Sequence, residues 1–173
     1  MTAATGPGDA GMSNPADWFA FQLKASADGF MWAIQQIPVE RRHKKPPAPD
    51  YLGLWPPARH AYHLYSYEYH LAMPEMQQWL DGDTRTPMQN LMIFDNEEAL
   101  WNQDNLEHVL EQFTQVRAAQ IELLARFDVA QWRQPMSTIW GHVTLFWVVF
   151  KTYQHTLEHS TTVMQMALMW DYV

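Results

Sequence analysis

Apolar positions recur in steps of three and four over four long stretches of the chain, the period of helices with one buried face. The first series is Phe19, Leu23, Phe30, Ile34 and Ile37. Ser13 or Asn14 can cap it, Pro15 suits the first helical position, Asp17 complements the dipole, and Pro38 ends it. A second helix is predicted from about Pro57, with Tyr62, Tyr65, Tyr69, Ala72, Met76 and Trp79 as its core seam and Pro74 as a point of kinking. A third is predicted from about Asn96 to Phe127, with Leu100, Leu110, Phe113, Ile121 and Leu124 inward. The fourth is predicted from about Trp140 to Trp170, with the seam Leu145, Val148, Thr152, His155, His159, Thr162 and Met166.

The stretches between carry the opposite signature. Residues 1–13 are small and polar and read as a disordered tail. PVERRHKKPPAPDYLGLWPP, from Pro38 to Pro57, holds 6 of the 11 prolines and 4 of the 11 Lys and Arg, so it is predicted as a long extended crossover. Its ERRHKK run reads as a solvated basic loop, with an anion or partner contact as the sharper reading. Asp81–Pro87 reads as a turn-rich loop, and Gln134–Pro135 marks the last connection. There is little strand-like alternation. The expected fold is all-α, a four-helix bundle forming one domain over 14–173.

Composition narrows the function. With no cysteine, disulfides, thiolate metal sites and thiol nucleophiles are excluded. A net charge of −8 argues against nucleic acid as a partner. The apolar run before Lys151 is too short for a membrane span, and the N-terminal residues lack the charged start and apolar centre of a secretory signal. A cytoplasmic protein with no membrane contact is expected. The 9 tryptophans among 24 aromatic residues predict apolar surface seeking a partner, and hence a homodimer formed by helix faces.

His155 and His159 are the anomaly in the fourth seam. At about 100° per residue, side chains four apart differ by about 40°, so both imidazoles face inward and can reach one ion. Buried without partners, each would cost about 1–3 kcal/mol. A divalent metal would satisfy them, since imidazole suits Zn, Ni, Cu and Fe. A hydrogen bond to a neighbour would do so as well. A third ligand must come from another helix. The second offers His60, His63 and His70, with His63 and His70 on one stripe bordering the core, and geometry does not choose between those two. His43, His108 and His142 read as structural or solvated.

Trp55, then His63-Leu64, then Glu68, followed on the fourth helix by His155-x3-His159, resembles the DinB-like (DinB/YfiT) metal-dependent family. The resemblance runs from about Pro15 to the end. It implies an up-down-down-up four-helix bundle with a long first crossover, often dimeric, and a divalent metal (Zn or Ni first, Fe or Mn next) on His63, His155 and His159. It thereby selects His63 over His70. The chain departs from many members in placing Ser160-Thr161-Thr162, rather than Arg-Gly-Gln, after the second histidine of the pair.

Two functional readings are open. In the first, three neutral histidines leave the ion an open position and the protein is a metal-dependent enzyme of transferase or hydrolase type. It acts on a small molecule, with any thiol supplied by a cosubstrate, and no catalytic residue is assigned. In the second, the protein is a non-catalytic metal- or small-ligand-binding bundle, its fourth position closed by His60, Glu68 or Glu158. Glu68, about 140° around the helix from His63, is expected to support the site rather than act as its general base.

Overall fold

The computed structural model describes residues 14–82 and 96–173, so the N-terminal tail and most of the predicted Asp81–Pro87 loop lie outside the described residues. The chain is mostly helical with one small hairpin. Helix α1 spans Ala16–Gln36. Asn14 Oδ1 accepts from Ala16 N at 3.0 Å at its start. The crossover comes next, with a 3-10 turn at Val39–Arg41 and a one-turn helix α2 at Pro49–Leu52. The basic run is partly engaged. Arg41 Nη2 pairs with Asp171 at 2.8 Å, while Arg42 Nε donates to Ile37 O at 2.9 Å.

Helix α3 (Pro57–Tyr67), a π turn (Glu68–Ala72) and α4 (Met73–Asp81) succeed one another without a break. The π turn accounts for the one failure in the predicted seam. A π turn holds an additional residue, which rotates the later residues out of the α-helical phase. Tyr62 is buried, but Tyr69 is 52% exposed and Glu68 is fully buried instead, before Ala72, Met76 and Trp79 resume the core. Pro74 lies two residues past this turn. A proline cannot donate to the carbonyl four residues back and crowds it, so a ladder opened there accommodates it without a break. Gly82, at φ 67°, closes α4 in the left-handed conformation that favours glycine.

The predicted third helix is two. A short α5 (Glu97–Leu100) is separated from α6 (Leu106–Leu124) by Trp101–Asn105. Asn105 starts α6 by accepting from Glu107 N at 2.8 Å. The fourth helix begins at Leu145, not Trp140. The residues before it form the antiparallel hairpin β1 (Pro135–Thr138) and β2 (Gly141–Thr144), in which Pro135 faces Thr144. Gly141, at φ 93°, makes the turn, and Thr144 caps α7 (Leu145–Met169) by accepting from Trp147 N at 3.3 Å. His142, predicted on the helix, is an exposed residue of β2. Buried Glu75 anchors the hairpin by accepting from Ile139 N at 3.4 Å.

Helix α1 packs on α7 and α6, and α3 packs on α6 and α7. Their buried faces form two apolar clusters. One gathers Phe30, Ile34, Leu64, Phe113, Val163 and Met166. The other gathers Phe19, Leu23, Met76, Leu124, Trp132, Leu145 and Val148. Near the junction of the clusters each long run buries polar residues: Ser26 on α1, Ser66 and Glu68 on the second run, Arg117 and Gln120 on α6, and Thr152, His155 and Thr156 on α7. The protein has a polar waist.

Candidate metal centre

The waist contains two separate constructions. The first is an ion pair. Arg117 donates through Nε to Glu68 Oε2 at 3.1 Å, through Nη2 to Glu68 Oε1, and through Nη2 to Thr156 Oγ1 at 2.7 Å. Its Nη1 donates to Leu23 O at 3.3 Å. Burial pushes the Glu68 carboxyl up, while the guanidinium and the Thr156 hydroxyl pull it back. Glu68 is thus committed to a structural pair across three elements. The sequence expectation that it does not serve as base agrees with this placement.

The second is the histidine cluster. His63 comes from α3, and His155 and His159 from successive turns of α7. His63 Nε2 and His159 Nε2 each lie 3.2 Å from His155 Nε2. One ligand nitrogen from each ring falls within 4.8 Å of the others, and these residues form a group that can hold a metal ion. The two separations from His155 fit one. Nitrogen ligands 2.0–2.1 Å from a tetrahedral ion are about 3.3 Å apart. The donors also fit in charge state. Burial, reinforced by neighbouring positive charge, lowers His155 to about 3 and His159 to about 2, so both are neutral at pH 7 with a nitrogen lone pair to give.

His70 is not part of the cluster. It lines a separate cleft of about 660 Å³ with Tyr69, Met73, Gln77, Gln112 and Gln115. Of the fourth-ligand candidates, His60 touches the cluster and the two glutamates are engaged elsewhere. His60 Nδ1 lies 2.7 Å from His159 Nδ1, Glu68 is held by Arg117, and exposed Glu158 accepts from Gln154 at 3.1 Å. His43 and His108 are exposed, in keeping with a solvated role.

Three neighbours complete the centre. Buried Glu97 sets Oε2 2.7 Å from His63 Nδ1 and lies 3.6 Å from Arg59 Nε through its other oxygen. No sequence signal marks it, because it sits 34 residues from His63 in a stretch predicted as the start of a longer helix. His60, one turn before His63, is buried, and burial lowers it to about 3. Trp55 lies over the cluster, its ring 5.1 Å from His63 and 6.0 Å from His159, with the Arg59 guanidinium 4.3 Å from its own centre. An apolar cleft of about 350 Å³, smaller than the one at His70, opens beside it between Gly53, Leu54, Trp55, His60 and His159. The histidine cluster thus adjoins the smaller cleft.

A helical fold whose interior carries three converging histidines defines a class of metal-capable helical proteins. The comparison with known families narrows the class. The model of the DinB superfamily matches residues 22–163, and the chain belongs to that superfamily. No curated protein and no solved structure matches it. No helix among the described residues is long and apolar enough to cross a membrane.

Proposed function

We propose that the protein is a metal-dependent enzyme acting on small molecules, of thiol-transferase or hydrolase type, with one divalent ion (Zn or Ni first, Fe or Mn next) held by His63, His155 and His159. The observation that carries this reading is the convergence of three Nε2 atoms from two helices at the spacing of a metal's ligands. Bound by neutral imidazoles alone, the ion keeps its full charge and supplies Lewis-acid chemistry with positions left for substrate. The chain's own part is to hold and shield. Trp55 and Leu54 give the adjoining cleft an apolar wall, suited to a small apolar or amphipathic substrate. With no cysteine, a reacting thiol comes from a cosubstrate. The alternative of a closed, non-catalytic site is weakened for Glu68 and Glu158 by their engagement elsewhere, whereas His60 lies against His159 at the cluster. Metal analysis of untagged protein tests the site. About one ion per chain is expected, with loss on His63→Ala, His155→Ala or His159→Ala. Full occupancy in a folded single variant would end the three-ligand proposal.

The same proposal includes an up-down-down-up four-helix bundle over 14–173 as one cytoplasmic domain, and a homodimer. Supporting the dimer, Phe146, Phe150 and Leu157 form an exposed apolar stripe along α7, with half-buried Tyr153 beside it. It continues onto Trp18, whose ring is 6.4 Å from Tyr153. Phe146, Phe150, Trp18 and Leu157 are each 39–51% exposed, and the stripe carries no charge. A run of this length is self-complementary in an antiparallel two-fold contact, and stable contacts cover about 800 Å² per partner.

A further inference from the structure

The hydrogen atoms of the cluster are set by one carboxylate. Glu97 Oε2 is 2.7 Å from His63 Nδ1. A carboxylate only accepts, so Nδ1 carries the hydrogen, and in the neutral ring Nε2 of His63 keeps its lone pair. His155 Nε2, 3.2 Å away, must then be an N–H that donates to it. An N–H cannot face another N–H, so His159 Nε2, also 3.2 Å from His155 Nε2, presents a lone pair too. The His159 hydrogen is therefore on Nδ1 and goes to His60 Nδ1 at 2.7 Å. His155 Nδ1 is left as a buried nitrogen with no side-chain or backbone partner among the described residues. Glu97 at one end and His60 at the other thus hold two rings, and no described residue outside the cluster hydrogen-bonds the third.

We propose that Glu97 and His60 are positioning residues that fix His63 and His159 as Nδ1–H tautomers, and that His155 is the one ring that switches. Without metal, its Nε2–H occupies the gap between the other two lone pairs. For His155 Nε2 to serve as a ligand, its proton would pass to solvent and Nδ1 would take one proton from solvent. The ring stays neutral, and His155 contributes no net proton to solvent. Two of the three ligands are thus set for the ion beforehand. This inference rests on the three-histidine reading for its metal-bound half only.

The test is long-range ¹⁵N–¹H correlation of the histidine rings at pH 7.5, first in metal-stripped wild-type protein and then after one equivalent of Zn²⁺. Expected are Nδ1–H patterns for His63 and His159 in both states, and a change of His155 from Nε2–H to Nδ1–H. An Nε2–H pattern for His63 or His159, or Nδ1–H for His155, in stripped protein would overturn the proposal even if zinc binds. Failure to bind zinc with the expected stripped-state pattern would instead remove the metal reading and leave the tautomer network standing. Zinc affinity gives a second readout. Glu97→Leu and His60→Phe should each lose about 10–100-fold, as removal of a group orienting a ligand does. His60→Asn, whose amide oxygen still accepts from His159 Nδ1, should recover most of that loss. Equal affinity in wild type, Glu97→Leu and His60→Phe would refute the positioning role. If those variants do not fold, the wild-type spectra decide alone.

Discussion

At the scale of single residues, the buried charges and rings set the consequences. Arg117 and Glu68 are both almost wholly inaccessible, and each satisfies the other. Removing one partner of such a pair costs about 3–5 kcal/mol, because the other charge stays buried and alone. Arg117→Leu is therefore expected to lose stability of that order in urea unfolding. Glu68→Leu added to it should restore much of the loss, and an additive double variant would show that the pair is not coupled. The histidines predict a pH dependence. His60, His155 and His159 have folded values lowered to about 3, 3 and 2 from 6.5. Below 6.5 the unfolded chain thus takes up protons that the folded chain refuses. The stability is fully present above about pH 6.5 and is lost as pH falls toward 3. Each ring contributes up to about 1.4 kcal/mol per pH unit within that window. Unfolding measured in chelator between pH 7.5 and 5 should show this decline, and a flat profile would refute it. His155 and His159 were legible in the sequence because the seam of the fourth helix has a period and an imidazole breaks it, whereas His60 lies off the seam of its own helix. Glu97 and the Arg117 partnership were not, because a contact between residues 34 or 49 apart leaves no periodic trace.

At the scale of elements, period served well where one rotation of the helix held throughout. The series from Phe19 to Ile37 is buried as predicted, and Leu145, Val148 and Met166 are buried on α7. It failed where the phase changes or the backbone stops. The π turn moves Tyr69 out and Glu68 in. The gap at Trp101–Asn105 is hidden by a stretch of polar residues that suits a helix surface equally well. The hairpin before α7 was absorbed into the helix because Trp140 and Val143 are apolar at acceptable spacing. Its real signals were Gly141 and Thr144, a turn glycine and a cap. Caps of this kind are worth about 1 kcal/mol. Asn105→Ala should lower stability by about that amount while leaving metal content unchanged. A loss of metal with no loss of stability would contradict a purely capping role.

At the scale of the whole molecule, the metal and the outer face of α7 govern behaviour. A ligand that binds only the folded state stabilises it by about 2.7 kcal/mol at a hundred times its Kd. Zinc should therefore raise the melting temperature of wild type and leave His155→Ala where it was. An equal rise in both would place the ion elsewhere. For the proposed dimer, Phe150→Glu with Leu157→Glu puts charges on the stripe without touching the waist. Light scattering is expected to give a dimer for wild type and a 20.3 kDa monomer for the variant. A wild-type monomer at micromolar concentration would reject the proposal.

The polar waist has a mechanical meaning. Parallel rods greased only with leucine and phenylalanine can slide along one another by a turn, about 5.4 Å, at little loss, because one apolar rung resembles the next. Here a one-turn slip of α6 would carry the guanidinium of Arg117 toward an apolar layer and leave Glu68 buried without its partner. The waist thus acts as a detent, admitting one axial alignment of the helices. The same alignment brings a ring from α3 level with two rings from α7, so the accuracy of the histidine cluster is inherited from an ion pair that never touches it.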